Sequence, residues 1–287
     1  MNKRAKFRQL LQQDGIIMAP GAPDAFTARI IQQAGFDVCY MGGNAAVASA
    51  LGIPDVGLAT FSDMISRAKS IASCINIPLF CDADTGYGNV NNVILTIKEF
   101  EKAGIVGVHL EDQVTPKKCG AMDNLKLISV EESAKKIEAA AYARTDPDFV
   151  ILARTDARKA LGLDDAIKRI QAFERAGADM VYVEMLESRD ELEAVVKSVN
   201  VPVAYDYLES GASYTPTVQE LEAIGVKMVI YPMSAILYNA KMLMRMMTDL
   251  KKCGSTQPYH ADMLSLHDYE KLLGIDELIA NEKRFGL

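Results

Sequence analysis

No apolar run in the sequence is long enough to cross a membrane, and its basic start, residues 1–8, leads into a polar stretch rather than the apolar core of a secretory signal. Positive charge is not in excess either, because 31 Lys and Arg face 38 Asp and Glu, for a formal net charge of −7. Such a chain offers no basic field to the phosphates of nucleic acid or to an anionic membrane. We therefore expect neither of these partners.

Cysteine is scarce, and the five cysteines are an odd number without the spacing of a metal site. This usage is typical of reduced thiols in a cytoplasmic protein, and we interpret four of the five as packing residues. Cys119 differs, because it lies between Lys118 and Gly120 in a polar stretch. We expect the nearby positive charge to favour its thiolate form.

No linker interrupts the 287 residues, so we predict a single domain over 1–287. Eight short apolar segments alternate with helical ones, and four helices are predicted to end at a glycine that serves as a left-handed C-cap: Gly35, Gly104, Gly177 and Gly225. Eight such units predict an α/β fold of the (β/α)8 or TIM-barrel type rather than an open doubly wound sheet. From about residue 235 we predict additional C-terminal helices, at 235–252 and 266–278, joined by an irregular connection.

Two neighbouring predicted strands run directly into acids, Asp82 and Asp84 after the first, and Glu111 and Asp112 after the second. On an extended chain the side chains of Asp82 and Asp84 share one face. Acids packed this closely repel and retain a proton unless a cation lies among them. A hard divalent ion, Mg²⁺ with several retained waters, explains the cluster, with Mn²⁺ as the alternative. Taken singly, each acid could instead cap the helix that follows it.

Other polar groups fall at strand ends, where a TIM barrel places its chemistry. Arg154 offers a planar fork for a carboxylate, or else an ion pair with Asp156 or Glu184. Tyr40 and the backbone amides of the glycine pair that begins at Gly42 form a second anion-facing edge.

Two features are interpreted structurally. His109 lies within a strand and is taken as a core histidine bonded to another barrel residue. The methionines of the predicted helix 235–252 are taken as flexible filling of the core or of a subunit interface.

Three motifs occur in order: Asp-Ala-Asp-Thr-Gly-Tyr-Gly at 82–88, His-Leu-Glu-Asp-Gln at 109–113 and Lys-Lys-Cys-Gly at 117–120. On these motifs the chain resembles the isocitrate lyase and phosphoenolpyruvate mutase superfamily, and most of all its short-chain 2-methylisocitrate lyases and 2,3-dimethylmalate lyases. The resemblance covers nearly the whole length. It implies a TIM barrel whose extra C-terminal helices pack onto a neighbouring subunit in a homotetramer.

The resemblance also implies roles for the matching positions. Asp82 and Asp84 would hold Mg²⁺ mainly through water, with Glu111 nearby and Asp55 completing the acidic cluster. Lys117 and Cys119 would lie on a gating loop, and Cys119 would be the acid/base partner of the carbon at which the bond breaks. We expect the loop, 114–125, to bury little and to be mobile without ligand. The residues expected to contact a small carboxylic acid substrate are Tyr40, Gly42, Gly43, Asn44, Arg154, Glu184 and Asp206.

The implied reaction is Mg²⁺-dependent cleavage of a 2-hydroxy dicarboxylate or tricarboxylate, of the 2,3-dimethylmalate or 2-methylisocitrate type, into a 2-oxo acid and a carboxylic acid through an enolate. One alternative is an oxaloacetate decarboxylase or hydrolase with the same metal and enolate chemistry. Another is a phosphonopyruvate-type enzyme acting on a P–C bond, against which Cys119 argues. The last is a binding protein that has lost activity, for which Ala121 is the main support.

The sequence departs from the family pattern at three places. Ala121 stands where these lyases carry histidine, Gly42 where methylisocitrate lyases carry serine, and Asp206-Tyr-Leu-Glu209 where they carry Asn-x-Thr-Glu. The missing histidine removes an anion contact, and we expect Asp206 to add negative charge. Leu208 removes a hydroxyl. These changes favour a smaller, partly apolar dicarboxylate, such as a methyl-substituted malate or oxaloacetate, over a tricarboxylate.

Overall fold

The computed structural model describes residues 2–209 and 213–286, and its centre is a ring of eight parallel strands. The strands β1 to β8 are Ile17–Pro20, Cys39–Met41, Leu79–Asp82, Gly107–Glu111, Val150–Thr155, Met180–Val183, Ala204–Asp206 and Met228–Tyr231. Strands β2 to β6 form one sheet in sequence order, and β1, β8 and β7 form another. One isolated parallel bridge crosses each seam, Gly21 to Tyr40 and Val181 to Val203. The strands therefore follow one another around the predicted TIM barrel, with the ladder interrupted at two seams.

Helices follow the strands on the outside of the ring. In the described residues the helices α1 to α13 are Lys3–Gln12, Ala25–Gln33, Gly43–Leu51, Phe61–Cys74, Val90–Lys102, Val130–Ala143, Ala157–Leu161, Leu163–Arg175, Arg189–Lys197, Val218–Ile224, Ser234–Cys253, Leu266–Leu273 and Ile275–Phe285. The sequence did not indicate α3 and α7. Helix α3 lacks a side-chain cap because it starts after Gly42, and α7 has only five residues.

The C-terminal region differs in detail from the prediction. The expected irregular connection contains a 3₁₀ helix, Gln257–Asp262, and the expected last helix is two helices that reach Phe285. Gly274 separates them with a positive φ of 90°, a conformation that glycine adopts without strain. None of the side chains of α11 is buried, although Leu237, Tyr238 and several methionines are apolar. No described helix has both the length and the apolar character needed to cross a membrane.

The core has an inner part, inside the ring of strands, and an outer part, between the strands and the helices. Helix α1 covers the N-terminal end of the barrel, where the fully buried Phe7 contacts Phe80 with ring centroids 5.6 Å apart. Arg4 and Arg8 anchor α1 through ion pairs of 2.8 Å to Asp146 and 2.9 Å to Asp179. The N-terminal end is thus closed by packing.

The packing of helix α1 over the N-terminal end of the barrel allows a test of the fold. Phe7→Ala should lower the free energy of unfolding by about 3–5 kcal/mol, because it leaves a cavity inside the barrel. Urea denaturation at one protein concentration measures this loss. The control is Tyr142→Ala, whose side chain is 80% exposed and should change stability by less than about 0.5 kcal/mol. Equal losses in the two variants would contradict the assignment.

Candidate functional site

A cavity of about 50 Å³ opens at the carboxyl ends of the strands. The predicted site residues line it, except Asp84 and Glu111, which lie behind its wall. Two residues that were not predicted from the sequence, Pro232 and Met233, follow β8 and line the cavity beside Leu208. No motif marks these two positions; only closure of the barrel brings the residues after β8 next to those after β2. The lining residues are Tyr40, Gly42, Gly43, Asn44, Asp55, Asp82, Lys117, Cys119, Gly120, Arg154, Glu184, Asp206, Leu208, Pro232 and Met233.

Asp82 ends β3 and is held by backbone amides. Its Oδ1 accepts from the N–H of Asp84 at 2.8 Å, and its Oδ2 accepts from the N–H of Gly43 at 2.9 Å. A Cβ atom at Gly43 would lie 2.7 Å from Oδ2, so the close approach requires glycine. The expectation that Asp82 and Asp84 lie on one face of an extended chain is wrong, because Asp84 has a positive φ of 47°. A turn, not a strand, directs the two carboxylates.

The buried ammonium of Lys117 lies between two of the acids. Its Nζ is 2.6 Å from Asp84 Oδ1 and 2.8 Å from Asp55 Oδ2. Burial alone would lower the pKa of Lys117, but the surrounding carboxylates, Asp84 and Glu111 foremost, outweigh it and raise the pKa well above its usual value. The acids do converge as predicted, and in this structure a lysine from the gating loop supplies the positive charge among them.

The other acids of the cluster differ in charge. Burial opposes ionisation of Asp82, but His109, which is protonated at the low pH where Asp82 titrates, together with Lys117 and Arg154 outweighs burial and lowers the pKa of Asp82 to about 2. Burial lowers the pKa of His109 to about 4, so the imidazole is neutral at pH 7, and the charge that holds Asp82 ionised comes from Lys117 and Arg154. Burial raises the pKa of Glu111 well above its usual value.

These acids fit a magnesium ion held largely through water. Their oxygens are the hard donors that Mg²⁺ prefers, and the buried Oε1 of Glu111 has no hydrogen-bond partner in the described structure. Within residues 2–209 and 213–286 no three acid, histidine or cysteine side chains form a ready coordination shell. Asp82 and Glu111 would therefore hold such an ion together with water, next to the Asp84 and Asp55 carboxylates.

His109 is a core histidine bonded to another barrel residue, as predicted. Its Nε2 is 2.6 Å from the hydroxyl of Tyr40. Burial raises the pKa of Tyr40 well above its usual value, so the phenol stays protonated and the hydrogen bond joins two neutral groups. Through this bond β4 fixes the position of a side chain on β2.

Arg154 makes the ion pairs that the sequence left as an alternative, and it also lines the cavity. Its Nη2 and Nε bind one oxygen of Asp156 at 2.7 and 3.1 Å, and Nη2 is 3.5 Å from Glu184. The guanidinium lies 5.4 Å from the ring centroid of Tyr182, within cation–π range. Pairing and exposure to a ligand therefore coexist at this residue.

Glu184 and Asp206 form a carboxyl pair across β6 and β7. The two side chains are within hydrogen-bonding reach, and their surroundings raise the pKa of both, that of Asp206 well above its usual value. Two adjacent carboxyls of this kind share one proton. The raised pKa of Asp206 favours its protonated form, so a shared proton leaves the pair with one negative charge instead of the two that the sequence suggests.

The gating loop, residues 114–125, covers the cavity in this structure. The expectation that it buries little is wrong for its centre, because Lys117 and Gly120 are buried. A Cβ atom at Gly120 would overlap the guanidinium of Arg154, and the N–H of Cys119 donates to the carbonyl of Asp55 at 3.0 Å. Mobility of the loop without ligand stays a prediction.

The expected thiolate at Cys119 is wrong. Desolvation raises the pKa of its thiol despite the nearby Asn44 side chain. Lys117 points toward the acids and Lys118 is exposed, so neither stabilises a thiolate. The half-buried thiol at the cavity wall is protonated at neutral pH.

Comparison with known proteins places the chain in a family. The family model of phosphoenolpyruvate phosphomutase matches residues 7–251. The 2,3-dimethylmalate lyase of Eubacterium barkeri is 40% identical over 286 residues, which cover 100% of this chain and 99% of that protein. The 2-methylisocitrate lyase of Bacillus subtilis is 37% identical, covering 93% and 91% of the two chains.

The chain belongs to the phosphoenolpyruvate mutase and isocitrate lyase superfamily. Among solved members, oxaloacetate acetylhydrolase with the inhibitor 3,3-difluorooxalacetate superposes with a TM-score of 0.95 at 30% identity, covering 99% of this chain and 97% of that one. Phosphonopyruvate hydrolase with oxalate and Mg²⁺ superposes with a TM-score of 0.90 at 30% identity over 100% of both chains. The predicted superfamily is confirmed, and the activities that the sequence indicated occur among these relatives.

The charge state of Cys119 in this superfamily member can be measured. Near neutral pH, iodoacetamide should alkylate Cys119 several-fold more slowly than the exposed Cys253, because the raised pKa and the covering loop both reduce the available thiolate. Peptide mass spectrometry of samples quenched over time gives both rates in one reaction. A faster rate at Cys119 would restore the thiolate that the sequence predicted.

Proposed function

We propose that this chain is a Mg²⁺-dependent carbon–carbon lyase that cleaves a 2-hydroxy dicarboxylate of the 2,3-dimethylmalate type into a 2-oxo acid and a carboxylic acid. One observation carries the proposal: the protonated thiol of Cys119 and the guanidinium of Arg154 face the same small cavity above Asp82. A proton donor, a carboxylate binder and a metal-side acid are the groups that this cleavage needs.

Arg154 binds a carboxylate of the substrate, since Asp156 orients its guanidinium and its planar fork suits two oxygens. In the tautomer of His109 whose Nε2 accepts a hydrogen bond from the Tyr40 hydroxyl, the Tyr40 oxygen is free to accept a hydrogen bond from the 2-hydroxyl of the substrate. When bound, magnesium supplies a Lewis acid that polarises the oxygen at C2. As the bond between C2 and C3 breaks, the proton of the 2-hydroxyl passes to the oxygen of Tyr40 while the Tyr40 proton passes to Nε2 of the neutral His109, and Cys119 protonates the departing enolate.

The raised pKa of Cys119 suits this role, because the donor must hold its proton until the enolate forms. The closed gating loop supports it further, since an enolate that meets bulk water is protonated without control. In the reverse direction the same thiol would have to lose its proton.

The walls of the cavity support a small, partly apolar substrate. Leu208, Pro232 and Met233 form an apolar side, against which a methyl group packs better than a carboxylate. The Glu184 and Asp206 pair carries negative charge and offers little to a third carboxylate.

We propose further that the chain acts as a homotetramer in the cytoplasm. Helices α11, α12 and α13 have no buried side chain among those described, yet exposed apolar residues line them, including Leu243, Leu266 and Phe285. A second copy that covers these helices would remove this apolar surface from water. All five cysteines are free thiols, which supports a reducing compartment. Sedimentation of the intact chain measures its oligomeric state.

A panel of diacids tests the reaction. We expect turnover to be fastest with methyl-substituted malates, slower with 2-methylisocitrate, abolished by EDTA and restored by Mg²⁺. The 2-oxo acid product is measured with a coupled dehydrogenase. Turnover that EDTA does not change, or that is fastest with the tricarboxylate, would contradict the proposal.

Substitution of Cys119 separates the lyase from the oxaloacetate alternative. Cys119→Ser should lower kcat for cleavage by about 10²–10⁴-fold with little change in KM, because a hydroxyl is a far weaker acid. Decarboxylation of oxaloacetate should survive, since solvent can protonate its enolate. Cys253→Ser is the control and should match the unmodified chain. Full lyase activity in Cys119→Ser would show that another group donates the proton.

A further inference from the structure

Gln113 is a buried amide at the base of the gating loop that neither the fold nor the proposed chemistry explains. It lies two residues after the end of β4 and is 2% exposed. Its Oε1 accepts from the N–H of Lys118 at 2.9 Å, and its Nε2 donates to the carbonyl of the same residue at 2.8 Å. The amide of Gln113 therefore binds both backbone polar groups of Lys118, the residue before Cys119 in the sequence.

The same amide reaches the substrate side of the cavity. Nε2 of Gln113 also donates to Oδ2 of Asp156 at 2.9 Å. The other oxygen of that carboxylate, Oδ1, accepts from Nε and Nη2 of Arg154 at 3.1 and 2.7 Å. An unbroken series of hydrogen bonds therefore runs from the loop backbone through Gln113 and Asp156 to the guanidinium.

The orientation of the amide follows from its partners. Two acceptors, a carbonyl and a carboxylate, face the Nε2 side, and one N–H faces Oε1, so the opposite orientation would turn every contact repulsive. Other loop anchors lack this double connection. Lys117 binds acids on the metal side, and Lys159 donates to the carbonyl of Ala121 near the surface.

We propose that Gln113 is a positioning residue that holds the gating loop closed and in register with the pair formed by Asp156 and Arg154. Its side chain fixes the position of Cys119 relative to the cavity by holding the backbone of Lys118, and it orients Arg154 through Asp156. The proton donor and the carboxylate binder are therefore positioned together. The proposal rests on the proposed function, which makes Cys119 on the closed loop the proton donor. Its test measures alkylation of Cys119 and does not need turnover.

Gln113→Glu is the decisive variant, because it has the same shape, keeps the acceptor for Lys118, loses both donors and places a carboxylate against Asp156. With no substrate present, iodoacetamide should alkylate Cys119 about tenfold faster than in the unmodified chain. Exposed Cys253 is the internal reference, and fully buried Cys81 on β3 reports opening of the whole barrel. Gln113→Met, which removes the hydrogen bonds without adding charge, should give the same direction of change.

A rescue experiment tests the connection to Asp156. Asp156→Asn alone should also speed alkylation of Cys119. Combined with Gln113→Glu it places an amide donor opposite a carboxylate, which restores the hydrogen bond with its polarity reversed and removes the repulsion. The double variant should therefore react more slowly than either single one.

Gln171→Glu is the matched control. This glutamine lies on the outer helix α8 and makes one hydrogen bond, from Nε2 to the carbonyl of Ser198 at 3.1 Å, and its variant should leave the Cys119 rate unchanged. An unchanged Cys119 rate in Gln113→Glu would overturn the proposal. An equal rise at Cys81 would show loss of fold instead of loop release and would overturn it as well, as would a double variant that reacts faster than both single ones. These outcomes stand even if the diacid panel finds no lyase activity.

Discussion

The structure of the barrel at the carboxyl ends of its strands depends on compensation of buried charge. Besides Asp156, the direct partner of Arg154, six acids lie within or beside one small cavity, and only two cations, Lys117 and Arg154, lie among them in the described site. A buried carboxylate without a partner costs several kcal/mol, and removal of one member of a buried ion pair costs about 3–5 kcal/mol. Each cation contacts more than one acid: Lys117 lies beside Asp55 and Asp84, and Arg154 lies beside Asp156 and Glu184. The acids at the site are Asp55, Asp82, Asp84, Glu111, Glu184 and Asp206.

Protonation reduces the negative charge that the two cations do not compensate. Asp82, beside Lys117 and Arg154, stays ionised with a pKa of about 2, whereas Glu111 and Asp206 have pKa values well above the usual range. The acids of one site therefore differ in charge, since Asp82 is ionised while the raised pKa values of Glu111 and Asp206 favour their protonated forms.

The gating loop is part of this balance and not merely a cover. Its Lys117 supplies the positive charge among the acids, and its Gly120 permits contact with Arg154. Opening of the loop, as predicted for the ligand-free protein, would therefore change the charge of the site as well as its access to water. The thiol of Cys119 lies on the same segment, so the proton donor and the counter-charge belong to one loop.

The sequence by itself determined the architecture and the membership of the site. Eight alternating units, the glycines that end helices and three ordered motifs were enough to predict a TIM barrel, its superfamily and the acids that meet at one end, because strand order and strand ends are local properties. Even there, α3 was missed, since its start carries glycine in place of a capping side chain. The split of the last helix at Gly274 was missed as well.

Only the tertiary structure decided the charge of each group and its partner. Neighbours in sequence suggested a thiolate at Cys119, but folding sends Lys117 to acids 33 and 62 positions away and leaves the thiol desolvated. In the sequence Gln113 is only the last residue of a motif. In the folded chain its Nε2 donates to Oδ2 of Asp156, directly after β5, at 2.9 Å. Protonation and hydrogen bonding depend on distances across the barrel and on exclusion of water, and neither quantity is present in the order of residues along a chain.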